Sequence, residues 1–150
     1  MIYEVIANID DMSSEVYSYL FERVIKEGAL DIYIENIYMK KNRSASKVCI
    51  LCEEQDKEKF IDILILETST FGVRYQKYNR TILKRKFTKI DTKYGSVSIK
   101  LGYYKGELIK ATCEYDECKL IANKEGIPLI KVFNDINCII NQKIGVKLLT

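Results

Sequence analysis

The sequence predicts an α+β protein in which a ferredoxin-like βαββαβ half is followed by a short antiparallel β-meander and two C-terminal helices. In the first half, segments of alternating apolar residues are interleaved with two segments of helical periodicity. In the second half, three extended segments come first and two helical segments follow. The 150 residues suffice for one ordinary domain or two small ones. We place a boundary near Tyr78, which gives subdomains 1–78 and 79–150 packed together.

The chain begins with a strand and a helix. Alternating apolar residues predict a strand over residues 2–9. Ser13 is a suitable N-cap for the following helix, and Gly28 suits the position just after its end. Between them, apolar residues recur at the spacing of a helix with one buried face. These residues are Val16, Tyr17, Leu20, Phe21 and Val24.

Residues 30–39 predict the second strand. Its apolar residues change parity, because Ile37 and Met39 continue on the face opposite to the earlier ones. A β-bulge near Glu35 and Asn36 is the simplest explanation.

A third strand, a second helix and a fourth strand complete this half. Residues 47–52 predict the third strand and residues 56–68 the helix. Alternating Phe71, Val73 and Tyr75 predict the fourth strand. The apolar face of the helix consists of Phe60, Ile61 and Leu64. This order of elements is that of the ferredoxin-like split βαβ arrangement.

The second half is predicted to be a meander followed by two helices. Residues 80–90 are extended and basic, and a turn follows at residues 91–95. The next strands centre on Val97, Ile99 and Leu101, then on residues 108–113. Gly126 ends the first helix, residues 115–124, and Pro128 suits the first position of the second. The apolar stripe of that last helix is Leu129, Val132, Phe133, Ile136 and Ile140.

Composition excludes several classes of protein. The apolar share of 47% and the charged share of 30% are those of a folded globular protein. No run of 18 apolar residues and no signal-peptide pattern occurs, so we expect a soluble cytoplasmic protein. The absence of histidine excludes imidazole ligands and Ser-His or Cys-His catalytic pairs. In a reducing compartment the five cysteines are interpreted as buried free thiols. Cys49 and Cys52 point to opposite faces of one predicted strand, so they could not bind one metal ion together.

Basic residues are unevenly distributed, although the net charge is only +3. Residues 40–47 contain four bases and no acid, and residues 74–93 contain eight bases against one acid, Asp91. Lysines often protect solvated edge strands, and the same pattern also suits an anion site for phosphates or nucleic acid. Charge alone leaves both interpretations open.

Two short motifs combine charges in a way that suits a metal–nucleotide complex. Asp10 and Asp11 join a strand end to a helix start, where carboxylates either cap the helix or hold a hard divalent cation. Lys40, Lys41 and Arg43 end the second strand, where an extended chain would put Lys41 and Arg43 on one face to bind a triphosphate.

Glu114 to Cys118 begins a helix and supplies three acids and an aromatic ring. First-turn acids can simply complement the helix dipole. None of these motifs is a Walker A loop or a dinucleotide-binding glycine fingerprint.

Several blocks in order resemble one known family. These blocks are Ile9-Asp-Asp-Met-Ser-Ser-Glu15, Gly28-Ala-Leu-Asp31, Met39-Lys-Lys-Asn-Arg43, Glu67-Thr-Ser-Thr-Phe-Gly-Val-Arg74, Tyr94-Gly-Ser-Val97 and Glu114-Tyr-Asp-Glu-Cys118. They are similar to the C-terminal region of the nickel-insertion protein of nickel-pincer nucleotide cofactor synthesis, the LarC family. The match runs across nearly the whole chain.

The resemblance implies a CTP-dependent nickel chelatase or cyclometallase of the lyase class. Members insert Ni²⁺ into a pyridinium-3,5-bisthiocarboxylic acid mononucleotide, and the finished cofactor serves lactate racemase and related enzymes. The C-terminal region binds CTP with Mg²⁺ or Mn²⁺. The histidine-rich N-terminal region of the family is not in this sequence. We therefore expect a nickel-handling partner region in cis or in trans, and we also expect a homo-oligomer.

Within the matching blocks, chemistry assigns roles to particular residues. The expected metal ligands are Asp10, Asp11 and Glu114. The expected CTP-binding residues are Lys40, Lys41, Arg43, Arg74, Lys100 and Tyr115. Catalytic residues are not assigned. The family often has Pro at positions 14 and 113 and Asp at position 117, and the last difference argues against Glu117 as a ligand.

Two other functions are compatible with the residues. One is a small basic module that binds single-stranded nucleic acid through a ferredoxin-like sheet, with some of the eleven tyrosines stacking on bases. Residues 72–75 are its nearest match to an RNA-binding strand motif, and a poor one. The other is a regulatory or oligomerisation domain of ferredoxin-like fold that catalyses no reaction.

Overall fold

The computed structural model describes residues 1–145. They belong to two compact units, Met1–Thr81 and Ile82–Thr150, the second described as far as Gly145. The last five residues of the predicted second subdomain lie outside the described residues. Across residues 1–145, none of the helices combines the length and apolar character that crossing a bilayer requires.

The first unit has the predicted βαββαβ order. Its elements are β1 (Ile2–Ile9), α1 (Ser14–Lys26), β2 (Asp31–Met39), β3 (Arg43–Glu53), α2 (Lys57–Glu67) and β4 (Arg74–Tyr78). The strands form one antiparallel sheet in the order β2-β3-β1-β4. The ferredoxin-like prediction is confirmed, and β2 and β4 are the edge strands.

The core of this unit lies between one face of the sheet and the two helices. Alternate residues of β1, among them Val5 and Ala7, pack against Leu20 of α1 and Phe60 of α2. Phe60 is fully buried. Because successive strand residues point to opposite faces, the even-numbered residues of β1, including Glu4, lie on the other face of the sheet.

The predicted bulge near Glu35 and Asn36 is wrong. β2 pairs with β3 in one unbroken register along its whole length. Ile32 is buried in the helix-covered core, whereas Ile37 and Met39 are half-buried on the opposite face. The apolar parity changes because this strand presents apolar side chains to both faces of the sheet, so no extra residue is needed.

The predicted extended continuation of β2 is also wrong. Lys40–Asn42 form a 3-10 turn in which Lys41 (φ 63°) and Asn42 (φ 56°) are left-handed. The chain reverses here to form a hairpin, which needs residues with positive φ. Arg43 consequently opens β3 and does not share a strand face with Lys41. The fourth strand also begins later than predicted, at Arg74. Phe71 lies in the loop before β4 and is fully exposed.

The second unit is the predicted meander with two helices. Its elements are β5 (Lys84–Thr92), β6 (Gly95–Tyr104), β7 (Glu107–Cys113), α3 (Tyr115–Glu125) and α4 (Leu129–Ile144). The antiparallel sheet has the order β5-β6-β7. Alternating Val97, Ile99 and Leu101 are buried with Val132 and Ile136 of α4, as their spacing predicted. Gly126 ends α3 in a left-handed conformation, while Pro128 is the N-cap of α4 rather than its first residue.

Candidate functional site

Three chain segments meet where β1 ends. β3 and β4 both run antiparallel to β1, so each begins beside the end of β1. Ile9 lies opposite Ser46 of β3, and Ile6 lies opposite Arg74 of β4. The sheet order therefore brings the acidic motif after β1 to the same end as the bases that open β3 and β4.

Two side-chain hydrogen bonds pair residues of these segments. Arg43 Nη1 donates to Asp10 Oδ2 at 3.0 Å, and Arg74 Nη2 donates to Asn8 Oδ1 at 2.9 Å. The Arg43 side chain remains 55% exposed and that of Asp10 21%. We call Asn8, Asp10, Asp11, Arg43 and Arg74 the β1-end cluster. It presents two guanidinium groups and two carboxylates to solvent within one unit.

The geometry does not favour a purely capping role for the two aspartates. Ser13 is the N-cap of α1, but its side chain makes no capping hydrogen bond. Asp10 accepts from Arg43, and Asp11 Oδ1 accepts from the Ser69 hydroxyl at 2.5 Å. The recorded contacts of both carboxylates are therefore with side chains of other segments.

The sequence prediction omitted Asn8 of this cluster, and it omitted Ser69, which donates a hydrogen bond to Asp11. Ser69 lies in the loop between α2 and β4, where Thr68 donates to the Leu64 carbonyl and Thr70 donates to the Gly72 carbonyl. Hydroxyl groups can hydrogen-bond to phosphate oxygens. The three consecutive hydroxyl residues before Arg74 were a readable signal, but only the fold places them beside Asp11.

Lys40 and Lys41 lie in the exposed turn directly before Arg43. Their ammonium groups carry positive charge on flexible stems and contribute point charges rather than bidentate contacts. Lys40, Lys41 and Arg43 therefore lie together in the hairpin between β2 and β3. The fourth predicted base of this unit, Arg74, opens β4.

The remaining predicted residues belong to the second unit. Lys100 Nζ of β6 and Glu114 Oε1, at the N-cap of α3, form an ion pair at 3.0 Å. Tyr115, the first residue of α3, is 55% exposed. The structure therefore brings together Lys100 and Glu114, and leaves the ring of Tyr115 largely accessible to solvent.

Glu117 has a structural contact that the sequence did not reveal. Its Oε2 accepts the backbone N–H of Ser98 at 2.7 Å. Hydrogen bonds from Ser98 hold the pKa of Glu117 below its usual value. The carboxylate is thus used to attach the start of α3 to β6, which agrees with leaving it out of the metal ligands.

A preformed cage for a metal ion is not found among residues 1–145, where no three His, Cys, Asp or Glu residues are placed to hold one. Mg²⁺ does not need such a cage, because it binds through one or two carboxylates together with phosphates and water. Asp10 and Asp11 are adjacent hard-oxygen donors and fit this mode.

Comparison with known proteins gives concordant matches. The family model described as nickel insertion protein matches residues 1–133. The pyridinium-3,5-bisthiocarboxylic acid mononucleotide nickel insertion protein of Clostridium acetobutylicum is 41% identical over 129 residues, covering 86% of this chain and 31% of that protein. The protein of the same name from Thermotoga petrophila is 34% identical over 129 residues, covering 86% of this chain and 32% of that protein. The chain spans about a third of the length of these curated relatives.

Solved structures match along most of the chain. One is an apo structure of LarC2, the C-terminal domain of a cyclometallase involved in the synthesis of the NPN cofactor of lactate racemase. It is 34% identical with a TM-score of 0.86, covering 91% of this chain and 94% of that one. A protein of Methanopyrus kandleri is 23% identical with a TM-score of 0.69, covering 89% of this chain and 82% of that one. At that identity, the second match concerns the fold alone.

Proposed function

Because this chain belongs to the nickel insertion protein family, we propose that it is the CTP-binding part of a nickel insertase that makes the nickel-pincer nucleotide cofactor. The observation that carries the proposal is the match of nearly the whole chain to the C-terminal domain of a cyclometallase. The substrate of the complete enzyme would be the pyridinium-3,5-bisthiocarboxylic acid mononucleotide, and Ni²⁺ would be the inserted metal. The reaction would belong to the lyase class.

The β1-end cluster supports triphosphate binding. Arg43 and Arg74 offer planar guanidinium groups that bind phosphate oxygens in pairs, and Lys40 and Lys41 add positive charge nearby. Arg43 is held by Asp10 and Arg74 by Asn8, so both guanidinium groups are oriented before any ligand arrives. Such preorganisation reduces the conformational entropy lost on binding.

Asp10 and Asp11 would hold a Mg²⁺ or Mn²⁺ ion together with the triphosphate. The bound ion would neutralise part of the phosphate charge. The protein groups would orient the phosphates through Arg43 and Arg74. In the second unit, Lys100 and Tyr115 stay candidate nucleotide contacts, and Glu114 stays a candidate metal ligand by sequence prediction.

Nickel handling is assigned to a partner region in cis or in trans. Delivery of nickel to sulfur normally uses imidazole or thiolate ligands. The chain has no histidine, and four of its five cysteines are buried. Its accessible acids and bases suit a hard cation with phosphates instead.

Calorimetric titration tests the nucleotide proposal. The chain is titrated with CTP, ATP, UTP and GTP, each with Mg²⁺ or Mn²⁺, and CTP is expected to bind far more tightly than the others. Equal affinity for ATP, or no nucleotide binding at all, would falsify it. Tight binding of a single-stranded oligonucleotide without preference for CTP would favour the nucleic-acid module instead.

Variants of the cluster test its residues. Asp10→Asn and Asp11→Asn keep a side-chain oxygen that can cap, so CTP affinity is expected to fall while the melting temperature changes little. Each of Arg43→Ala and Arg74→Ala is expected to weaken CTP binding about 10- to 100-fold, as hydrogen bonds to charged groups contribute ~1.5–3 kcal/mol. Lys26→Ala is the matched control, because it removes one positive charge from the last turn of α1. Loss of stability with intact binding would assign the aspartates to folding.

Reconstitution tests the division of labour. Purified chain, precursor, Ni²⁺, Mg²⁺ and CTP are mixed, and activation of apo lactate racemase is followed. Activation is expected only when the nickel-handling region is also present. Full activation without it would show that this chain handles nickel itself.

A further inference from the structure

The end of β7 and the first turn of α3 bring two thiols together. Cys113 is the last residue of β7 and Cys118 is the fourth residue of α3. Their Sγ atoms are 3.1 Å apart. A disulfide bond is about 2.05 Å long, so the two sulfurs need to approach by only ~1 Å to bond. The pair closes a short local loop of the chain.

The other three cysteines have no comparable arrangement. Cys49 and Cys52 are three residues apart on β3, so their side chains point to opposite faces of the sheet. Cys138 is exposed on α4. The sequence prediction treated all five as isolated core thiols. It did not foresee the proximity of Cys113 and Cys118, and it was wrong about the burial of Cys138.

We propose that Cys113 and Cys118 form a reversible dithiol–disulfide pair that exchanges with low-molecular-weight disulfides of the glutathione type. The thiolate of one cysteine attacks a sulfur of the small disulfide, which breaks its S–S bond and releases one small thiolate. The second cysteine then attacks the protein-bound sulfur and releases the other. The two protein thiols lose two electrons, the small disulfide gains them, and the two protons pass to the released thiolates.

Exposure assigns the order of the two steps. Cys113 is 5% exposed and Cys118 is fully buried, so the incoming disulfide meets Cys113 first. Because Cys118 is fully buried, the second step requires opening of the first turn of α3. This opening would break the hydrogen bond from the Ser98 backbone to Glu117, which attaches the first turn of α3 to β6.

The bond would join the chain on both sides of Glu114, whose carboxylate pairs with Lys100. It would also fix Tyr115 at the start of α3. Oxidation would therefore restrain the segment that carries the charged and aromatic groups of the second unit. The pair does not depend on the proposed function, because it rests only on the two thiols and their surroundings.

Thiol mapping after redox equilibration tests the proposal. Cys138→Ser is introduced first, because it removes the exposed thiol and leaves four. The folded variant is equilibrated over a series of ratios of reduced to oxidised glutathione, then unfolded in acid, alkylated and digested. Under oxidising conditions we expect four alkylated thiols to fall to two, a mass loss of two hydrogens, and one peptide linking Cys113 to Cys118. Dithiothreitol should restore all four.

Two controls keep the outcome decisive. Adding Cys118→Ser is expected to abolish the internal bond and leave Cys113 free or glutathionylated, whereas adding Cys49→Ser should leave the bond intact. A parallel sample is refolded from urea in the same buffers, so that burial does not hide the thiols. A bond found only in that sample would show that the pair forms in the unfolded chain, and would overturn exchange in the folded protein. Four free thiols in both samples, or a link that involves Cys49 or Cys52, would overturn the proposal.

Discussion

A buried carboxylate on the second face of the first sheet gives the sharpest stability prediction. Glu4 is only 6% exposed and accepts hydrogen bonds from the hydroxyls of Tyr33 and Tyr78. Tyr33 lies on β2 and Tyr78 on β4, so the central strand is linked by side chains to both edge strands. A carboxylate away from water is tolerated only when donors replace its hydration.

Tyr33→Phe removes one of these donors and changes little else. The hydrogen bond that the Tyr33 hydroxyl donates to Glu4 raises the pKa of Tyr33. Loss of a hydrogen bond to a charged group is expected to lower the free energy of unfolding by about 1.5–3 kcal/mol. At a urea m-value of ~1–3 kcal/mol/M, the midpoint should fall by roughly 1 M.

Urea unfolding in reductant, followed by far-UV circular dichroism, measures this change. Tyr38→Phe is the matched control, because Tyr38 lies on the same strand and is 78% exposed; its effect should stay within about 0.5 kcal/mol. A double-mutant cycle with Glu4→Gln then isolates the coupling between the two groups. We would reject this reasoning if Tyr33→Phe lowers the free energy of unfolding no more than Tyr38→Phe does, or if the coupling energy is zero. Either result would mean that the Tyr33 hydroxyl does not stabilise the buried Glu4 carboxylate.

Two further predictions use the same unfolding assay. Lys93 and Tyr94 contact Asp135 and lower the pKa of its carboxyl to about 2. Because this lies below the unfolded value of ~3.9, the contacts stabilise the fold above about pH 4 and this stability is lost as pH falls towards 2. Asp135→Asn should therefore melt earlier at neutral pH and match the wild type near pH 2; a difference independent of pH would contradict this. Phe60→Ala should lower the free energy of unfolding by about 3–5 kcal/mol, because this ring is fully buried. Phe71→Ala should change it little, because this ring is fully exposed. Similar losses for the two variants would refute the burial argument.

The periodicity of apolar residues determined the order and type of the elements. Strand alternation and helical spacing are local properties, because each arises from how successive side chains point along the backbone. They placed β1 at its observed bounds and located Gly126 at the end of α3. The same local reasoning failed at Glu35 and Asn36, because parity alone does not distinguish a bulge from a strand with two apolar faces.

The sequence also suggested a chemistry for the candidate site, but not its contacts. The motifs at Asp10, Asp11 and Arg43 suggested a cation with phosphates from residue types and family resemblance. Arg43 meets Asp10 across 33 positions, and Arg74 meets Asn8 across 66. Their proximity depends on the order of strands in the sheet, which periodicity does not encode.

Only the tertiary structure decided which polar groups are buried and which thiols meet. On the strand pattern alone, Glu4 is a polar residue on the side of β1 away from the helices. Tyr33 and Tyr78 replace its hydration only because the edge strands bring their hydroxyls over the central strand. Cys113 and Cys118 likewise come together only when the chain turns from β7 into α3. Local propensity specifies what each segment can be, whereas burial and pairing depend on groups that distant segments supply.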